Sequence, residues 1–311
     1  LFGIKTGIVK LNVKKSNNYQ ISVNSSVTKI RPFVTGIIAK NGKVDDKTIK
    51  QLMTMQEDLH FGIGRKRKKS SIGIHDLDKI SFPLVYTTTT RDHKFIPLNS
   101  EKETTVSEIL VNTDVGKDYG SILGQSSQVP IILDKNQNTV SFPPIINAAV
   151  TTVTTKTKNL FVEVTGIAKE DAEDMLAVVA TILQSAGFIL ESVKITGAKN
   201  SSPKLEQRKM TVSASLINQT LGLNLNSSKI VSSLKKSRLD AISKGTNIIC
   251  TIPAYRFDIF GPLDLVEEVA LGYGIQNLEP ALSPSQTIGK INPVSIKLKS
   301  LDQTMIGLGF L

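Results

Sequence analysis

Residues 159–166, NLFVEVTG, decide the fold: they form a run of β-branched and aromatic residues that is closed by a glycine, which is typical of a strand. Successive side chains of a strand point to opposite faces. One face is apolar and predicts a core contact. The other places a carboxylate and a hydroxyl about 7 Å apart beside an aromatic ring. The apolar face consists of Leu160, Val162 and Val164, and the mixed face of Phe161, Glu163 and Thr165.

Turns, helices and further strands surround this segment. Upstream, SFPPIIN (141–147) predicts a stiff turn, because its two prolines fix the backbone and hold Ser141 and Asn147 at its ends. Helical periodicity predicts helices over 45–59 and 169–184, and short strands are predicted in the first forty residues. Strands followed by helices favour a multidomain α+β fold. The expected buried side of the second helix is Met175, Leu176, Val179, Ile182 and Leu183.

The last third of the chain carries a different pattern. LINQTLGLNLNSSKIVSSLKKSRLDAI (216–242) predicts a helix, a glycine-containing turn and a serine-capped helix, and the strand TNIICTI follows. A helix pair of this kind with a strand wing is compatible with nucleic-acid binding, yet it is as often scaffold. The predicted divisions are an N-terminal α/β domain over 1–90, an α+β domain over 91–200, a winged-helix-like helix-turn-helix domain over 206–283 and a further segment over 284–311.

Composition narrows the class of protein. The 311 residues are 40% hydrophobic, which supports proper cores, and the formal charge of +11 favours an anionic partner such as nucleic acid. The single cysteine, Cys250, excludes an internal disulfide and any multi-cysteine zinc site and indicates a core residue of a cytoplasmic protein. No membrane partner is expected, because no segment approaches the length of a membrane span. The leucine at position 1 and the apolar end at 300–311 predict a fragment.

Four carboxylates stand close together near the end of the chain. Pro262 predicts a helix start, and from it Asp264, Glu267 and Glu268 share one helical face, with Asp258 just upstream. Like charges at this spacing cost about 0.2 to 0.5 kcal/mol per pair. Three things would offset the repulsion: the positive end of the helix dipole, a hard cation such as Mg²⁺, or a basic partner surface.

No motif for synthetic chemistry is evident. The chain lacks a GxxxxGK[ST] phosphate loop, a GxSxG elbow and an HExxH helix, so ATP-dependent activation in this chain is not expected. His60, His75 and His93 are interpreted as structural. The basic run over 65–69, RKRKK, predicts either a solvated loop or a contact with a phosphate backbone or a subunit.

Several long segments together resemble one family. IPAYRFDIFGPLDLVEEVALGYGIQNLEP resembles the signature of the β subunit of phenylalanine tRNA synthetase in its archaeal and eukaryotic form. In the same order, MQEDLHFGIGRKRKKSSIGIHDLD, DYGSIL, SFPPIINAAVTTVTTKTKNLFVEVTG and MTVSASLINQTLGLNL resemble it too. The resemblance covers about residues 28–311, and INPVSIKLKSLDQTMIGLGFL resembles the start of the family's catalytic-like domain. It implies a subunit of an α2β2 heterotetramer that charges tRNA with phenylalanine using ATP, with the synthetic site in the α subunit.

The resemblance also implies site residues. In this family the domain over 91–200 is an editing domain that hydrolyses tyrosine mischarged onto the tRNA. The implied editing pocket consists of Leu133, Ser141, Glu163 and Thr165, with Glu163 as acceptor for a tyrosine hydroxyl. Ile131 and Ile132 are alternatives to Leu133 after a small shift in alignment. The family's magnesium positions match Asp258, Asp264, Glu267 and Glu268. The competing interpretations are a non-catalytic module for tRNA binding and subunit assembly, and a free-standing paralogue.

Overall fold

The structure is a computed structural model that describes residues 5–198, 200, 202–203, 205–280 and 288–310. The described residues contain sixteen strands and eight α-helices, joined by short 3₁₀ turns. The strands are β1 (Val13–Lys14), β2 (Gln20–Val23), β3 (Phe33–Lys40), β4 (Ser70–Asp76), β5 (Leu84–Thr90), β6 (Lys94–Phe95), β7 (Thr104–Thr105), β8 (Gln128–Leu133), β9 (Thr139–Phe142), β10 (Ile146–Asn147), β11 (Leu160–Gly166), β12 (Ile189–Ser192), β13 (Lys194–Thr196), β14 (Arg208–Ser213), β15 (Asp240–Lys244) and β16 (Asn247–Ile252). The helices are α1 (Asp46–Phe61), α2 (Val106–Asn112), α3 (Asp114–Tyr119), α4 (Lys169–Ser185), α5 (Ala214–Leu221), α6 (Ser227–Lys236), α7 (Pro262–Tyr273) and α8 (Pro293–Gly307).

The predicted strand NLFVEVTG is β11, at the heart of a five-stranded sheet. The strand order is β1-β12-β3-β11-β4, and β11 runs antiparallel to both β3 and β4. Leu160, Val162 and Val164 pack with α4 in one core, whereas Phe161 packs in a second core on the opposite face. The predicted alternation is therefore confirmed. Both faces of β11 are covered, because all seven of its residues are buried.

A second sheet covers the mixed face of the first. Its order is β10-β9-β8-β5-β2-β13, with a register shift between Ile132 and Leu133 of β8. Tyr86 and Ile132 belong to the core that contains Phe161. Helix α4, the first sheet and the second sheet thus form three layers, and the polar side chains of β11 lie inside the protein.

The chain order does not divide these layers at residue 90. In the first sheet β11 lies between β3 and β4, and in the second β8 pairs with β5. Each sheet thus contains strands from both sides of residue 90, so the predicted separation into 1–90 and 91–200 does not correspond to two separate sheets. A boundary between 283 and 284 lies outside the described residues.

Residues 208–273 build their own core. The antiparallel sheet β14-β16-β15 packs with α5, α6 and α7, and buries Cys250 together with Ile248, Ile252 and Leu265. The turn between α5 and α6 uses Gly222 at φ 67°, a left-handed conformation that favours glycine. The predicted helix pair and strand are confirmed, but the cap of α6 is the Asn226 side chain, which accepts from the amide of Lys229.

The first residues of α1 and α4 agree closely with the prediction, and one side chain of α4 is more exposed than predicted. Helix α1 starts after Asp45, whose carboxylate caps the amide of Thr48, and α4 begins at the predicted residue. Ile182 of α4, placed on the buried side from its spacing, is 38% exposed, whereas Met175 and Leu183 are buried.

Residues 274–310 form a separate compact unit, because their contacts are mainly with one another. Its described part contains a short turn at Ile275–Asn277 and α8, which begins with proline behind the cap Asn292. The side chains of α8 are largely exposed. No helix among the described residues combines the length and the apolar character that a membrane crossing requires.

Candidate functional site

A cavity of about 440 Å³ opens between α1, β4 and the stiff turn that follows β9. Its walls are mainly apolar, with a few polar side chains at the bottom and the rim, which is the usual composition of a small-molecule site. The apolar walls include Ile72, Ile74, Pro143, Pro144 and Ile145, and the polar groups include Ser71, Ser141, Asn147 and Glu163.

Glu163 is the buried acid of this cavity. Its neighbours across the sheet are Gly36 on β3 and Gly73 on β4, so the carboxylate lies in a niche without side chains on either side. Ser141 donates to Glu163 Oε1 at 2.9 Å, while Oε2 is buried and has no hydrogen-bond partner among the described residues. Burial raises the pKa of Glu163 from its ordinary 4.5 to about 7, against the opposing effects of the Ser141 hydrogen bond and of the charge on Arg31. Glu163 is therefore a hydrogen-bond acceptor whose pKa is close to neutral pH, and one of its two oxygens is available to a ligand.

Thr165 lies two residues further along β11 and has other partners. Its Oγ1 accepts from Arg31 Nε at 2.8 Å and lies 3.1 Å from Ser71 Oγ. Arg31 is itself only 1% exposed and also donates to the Thr165 carbonyl at 2.9 Å. Burial lowers the pKa of this guanidinium to about 10, which leaves it protonated at neutral pH. Thr165 thus does not itself line the cavity, but it contacts Ser71, which does.

Leu133 is placed differently from the other predicted pocket residues. It is half buried at the end of β8, where it pairs with Val85 and with Thr139 next to the register shift. Its neighbours Ile131 and Ile132 are fully buried. Among the described residues, none of these three lines the cavity, so the structure brings together Ser141 and Glu163, with Thr165 beside them and Leu133 apart.

The three histidines have structural hydrogen bonds, but one of them also adjoins the acid. His60 Nε2 accepts from the amide of Ile72, and His93 Nε2 lies 2.8 Å from Thr139 Oγ1. His75 stacks on Phe161 and places Nδ1 2.8 Å from Thr151 Oγ1. Burial lowers the pKa of His75 to about 3, so the ring is neutral. Its Nε2 is buried and finds no hydrogen-bond partner in the part of the chain that the structure describes, and this atom and Glu163 Oε1 both lie 2.6 Å from where a Cβ on Gly73 would stand.

Arg67 holds the turn that forms one wall of the cavity. Its guanidinium donates to the carbonyls of Pro144 and Ile145, pairs with Glu57 at 2.9 Å and stacks over the ring of Tyr119 at 4.3 Å. The Pro143–Pro144 peptide bond of this wall is cis. The backbone around Arg67 is unusual, because 65–67 are three successive non-glycine residues at φ 46°, 54° and 63°. Such residues cost roughly 1 kcal/mol each and concentrate at functional sites.

The four carboxylates near α7 are held by the chain itself. Arg256 donates to both oxygens of Asp258 and to Glu268, so one guanidinium bridges the two acids. The Asp264 carboxylate accepts from the amides of Phe260 and Gly261 and caps the helix start, while Glu267 is exposed. Hydrogen bonding from Arg256 lowers the pKa of Asp258, and that bond raises the pKa of Arg256 in turn.

This arrangement does not fit a magnesium site made by the four predicted ligands. Magnesium binds one or two carboxylate oxygens and several waters in a nearly octahedral arrangement, so the four acids would have to offer free oxygens that face one point. Here a guanidinium already neutralises two of the acids and backbone amides engage a third. Within the described ranges, no three histidine, cysteine or acidic side chains converge as metal ligands. The predicted assignment of Mg²⁺ to these residues stays a prediction.

Comparison with known proteins follows the same division of the chain. Residues 17–176 match the B3/4 domain, and this range includes most strands of the first two sheets and the residues that line the cavity. Residues 210–275 match the tRNA synthetase B5 domain. The fold and these matches define the class as a tRNA synthetase subunit. The phenylalanine–tRNA ligase β subunit of Archaeoglobus fulgidus is 38% identical over 99% of this chain, and that of Sulfurisphaera tokodaii is 39% identical over 90% of it.

A solved structure agrees with the sequence relatives. An N-terminal fragment of the phenylalanyl-tRNA synthetase β subunit from Pyrococcus horikoshii has a TM-score of 0.83 and 32% identity, over 87% of this chain and 79% of that one. The chain belongs to the family of phenylalanine–tRNA ligase β subunits. It spans 56% of the length of the Archaeoglobus relative and 52% of the Sulfurisphaera relative.

Several residues of the site were not found from the sequence. Arg31, Gly73 and Arg67 act through contacts with residues more than fifty positions away or across a sheet, and spacing along the chain carries no trace of them. Arg256 stands two residues before Asp258, and that local pairing was available from the sequence as an alternative to a metal.

Proposed function

We propose that this chain is part of a phenylalanine–tRNA ligase β subunit whose B3/4 cavity hydrolyses tyrosine mischarged onto the tRNA for phenylalanine. The observation that carries the proposal is the unpaired Oε2 of Glu163 in an apolar cavity. The aromatic ring of tyrosine would fit between the apolar walls of the cavity, and its phenolic hydroxyl would donate a hydrogen bond to Glu163 Oε2. Ser141, which already donates to the other oxygen, fixes the orientation of the carboxylate.

The same geometry explains why the site would prefer tyrosine to phenylalanine. A pocket that merely accommodates a phenyl ring rejects an added hydroxyl by only about a hundredfold, so synthesis alone misincorporates tyrosine. A pocket with a buried acceptor has the opposite preference. A bound phenylalanine would exclude water from Glu163 without offering it a hydrogen bond. Leaving a buried polar group unsatisfied in this way costs about 1–3 kcal/mol of binding free energy, and more for a charged group. Correctly charged tRNA is thereby spared.

Hydrolysis itself is assigned to a water molecule that attacks the aminoacyl ester. The hydroxyl of Ser141 is committed to Glu163, and that of Thr165 is engaged by Arg31 and Ser71. In this role the chain binds the amino acid, orients its ester and admits water. The polar groups position the substrate rather than form a covalent intermediate with it.

The remaining features of the assembly follow from family membership as proposals. ATP-dependent attachment of phenylalanine belongs to the α subunit, in a cytoplasmic α2β2 heterotetramer that binds tRNA. The helix pair α5 and α6, with the hairpin β15–β16, is proposed as a winged-helix-like module. Any Mg²⁺ near Asp258, Asp264, Glu267 and Glu268 would have to compete with Arg256, so no step is assigned to it.

The test is deacylation of tyrosyl-tRNA by the complete heterotetramer. Glu163→Ala and Thr165→Ala are compared with wild type. Removing the Glu163 acceptor is expected to slow deacylation by about 30-fold or more, as expected for loss of a hydrogen bond to a charged group. Unchanged deacylation in both variants would refute the pocket. Salt-sensitive tRNA binding without turnover in the wild type would instead support the alternative, a non-catalytic module for tRNA binding and subunit assembly.

A further inference from the structure

The basic run at 65–68 lies at the rim of the cavity, and its side chains divide into two groups. Arg67 points inward, lines the cavity and binds the carbonyls of its wall. Arg65, Lys66 and Lys68 are exposed, and in the part of the chain that the structure describes no carboxylate forms an ion pair with them. The anchor and the three exposed cations belong to one tight loop.

Backbone hydrogen bonds hold this loop in one conformation, so it is not a flexible connection. Amides inside it bond back to the carbonyls of Leu59, His60 and Gly64, and three of its residues hold left-handed conformations. Gly64 is buried, and a Cβ there would stand 2.5 Å from the carbonyl of Ser70. Arg65, Lys66 and Lys68 therefore lie on the same tight loop as Arg67, which lines the cavity, and Lys66 Nζ also lies 5.5 Å from the centre of the Phe61 ring. The like charges on this loop repel one another, and a multivalent anion would relieve the repulsion.

We infer that Arg65, Lys66 and Lys68 form a phosphate clamp for the strand of tRNA that carries the aminoacyl ester into the cavity. This inference rests on the proposed function and adds the surface that receives the nucleic acid. An ester whose amino acid occupies the cavity must leave its 3′-terminal nucleotides at the rim. Phosphates of those nucleotides then lie within reach of long, flexible cations, which contact phosphate without reading sequence.

The experiment measures binding of the complete heterotetramer to an acceptor-stem minihelix with and without its 3′-terminal CCA, across a range of salt. The neutral variant combines Arg65→Asn, Lys66→Asn and Lys68→Gln, because asparagine tolerates left-handed backbone. Arg67 is left in place, since it holds the wall. A charge-retaining variant, Arg65→Lys with Lys66→Arg and Lys68→Arg, serves as the rescue. The matched control is Lys10→Gln with Lys14→Gln and Lys15→Gln, which removes three exposed charges near β1, at the other edge of the same sheet.

The neutral variant is expected to bind the CCA-bearing minihelix about thirtyfold more weakly at 0.1 M salt, with a salt slope that is smaller by about 2. The rescue and the control should retain wild-type affinity. Removal of CCA should weaken the wild type but have little further effect on the neutral variant, because both changes remove the same contact.

Wild-type binding by the neutral variant, or equal weakening by the control, would overturn the clamp. Loss of α-subunit assembly with RNA binding retained would overturn it as well, because the loop would then be a subunit contact. A CCA-dependent effect confined to Lys235→Gln with Lys236→Gln on α6 would also overturn it. A heterotetramer that shows the predicted coupling but does not deacylate tyrosyl-tRNA contradicts the proposed function and leaves the phosphate contact standing.

Discussion

Burial of Glu163 determines both the chemistry of the cavity and its sensitivity to pH. The side chain is 2% exposed, and one of its oxygens has no partner. An acid in such a place is a cost to folding that an ordinary core does not carry. Glu163→Gln removes the ionisable group and its cost to folding. The variant keeps the shape of the side chain and an oxygen that can accept the hydrogen bond from Ser141.

Glu163→Gln is expected to flatten the pH dependence of stability. The pKa of Glu163 is about 7 in the folded chain and 4.5 without perturbation, so between these values the folded state binds more protons than the unfolded state. Stability therefore falls as pH rises through this window, by up to about 3 kcal/mol, and the variant should be the more stable protein at pH 8. Urea unfolding from pH 5 to 8 measures the effect. The exposed Glu206→Gln is the control, and identical slopes for wild type and Glu163→Gln would show that Glu163 is not perturbed.

Gly73→Ala tests the niche from the opposite strand. The new methyl would stand 2.6 Å from both Glu163 Oε1 and His75 Nε2, so the buried acid must move. We expect a loss of about 1–3 kcal/mol in the free energy of unfolding, the usual cost of overpacking, together with reduced editing. Gly261→Ala meets open space and should be close to neutral. Equal stability of the two alanine variants would contradict the described packing around Glu163.

The segment from Arg256 to Glu268 shows that an acidic motif can have a cation of its own within the chain. The sequence shows four acids and favours a metal by resemblance, but an arginine within the motif forms the ion pairs. By contrast, β11, α1 and α4 were predicted nearly to the residue, because their periodicity is long and regular. What the sequence did not supply was the pairing of strands across residue 90, since that order depends on contacts far apart in the chain.

Arg256→Ala is expected to destabilise residues 208–273 by about 2–3 kcal/mol. Glu268 is 8% exposed and would be left without its cation, and breaking a buried pair costs more than the pair contributes. The exposed Glu267→Gln is the matched control. Thermal unfolding in Mg²⁺ and in EDTA measures both the loss and any role for the metal.

The structure predicts the same Tm of the wild-type chain in Mg²⁺ and in EDTA, because Arg256 already neutralises Asp258 and Glu268. A rise of several degrees in Mg²⁺ that Glu268→Gln removes would show that the acids release Arg256 and bind the metal.

At the scale of the whole molecule, three layers place a polar strand face inside the protein. Strand β11 lies between β3 and β4, and Glu163 lines the cavity that opens between α1, β4 and the turn after β9. In the function that we propose, the phosphates of the tRNA stay at the basic loop on the rim, and the amino acid enters the cavity that Glu163 lines.

The most direct measurement is the ratio of the deacylation rates of tyrosyl-tRNA and phenylalanyl-tRNA, determined for the complete heterotetramer with wild-type β subunit and with Glu163→Gln. We expect a wild-type ratio far above one and a fall of about tenfold or more in the variant, because a neutral amide is a weaker acceptor than a carboxylate for the phenolic hydroxyl. A ratio that does not change with Glu163→Gln would contradict the claim that this carboxylate recognises tyrosine.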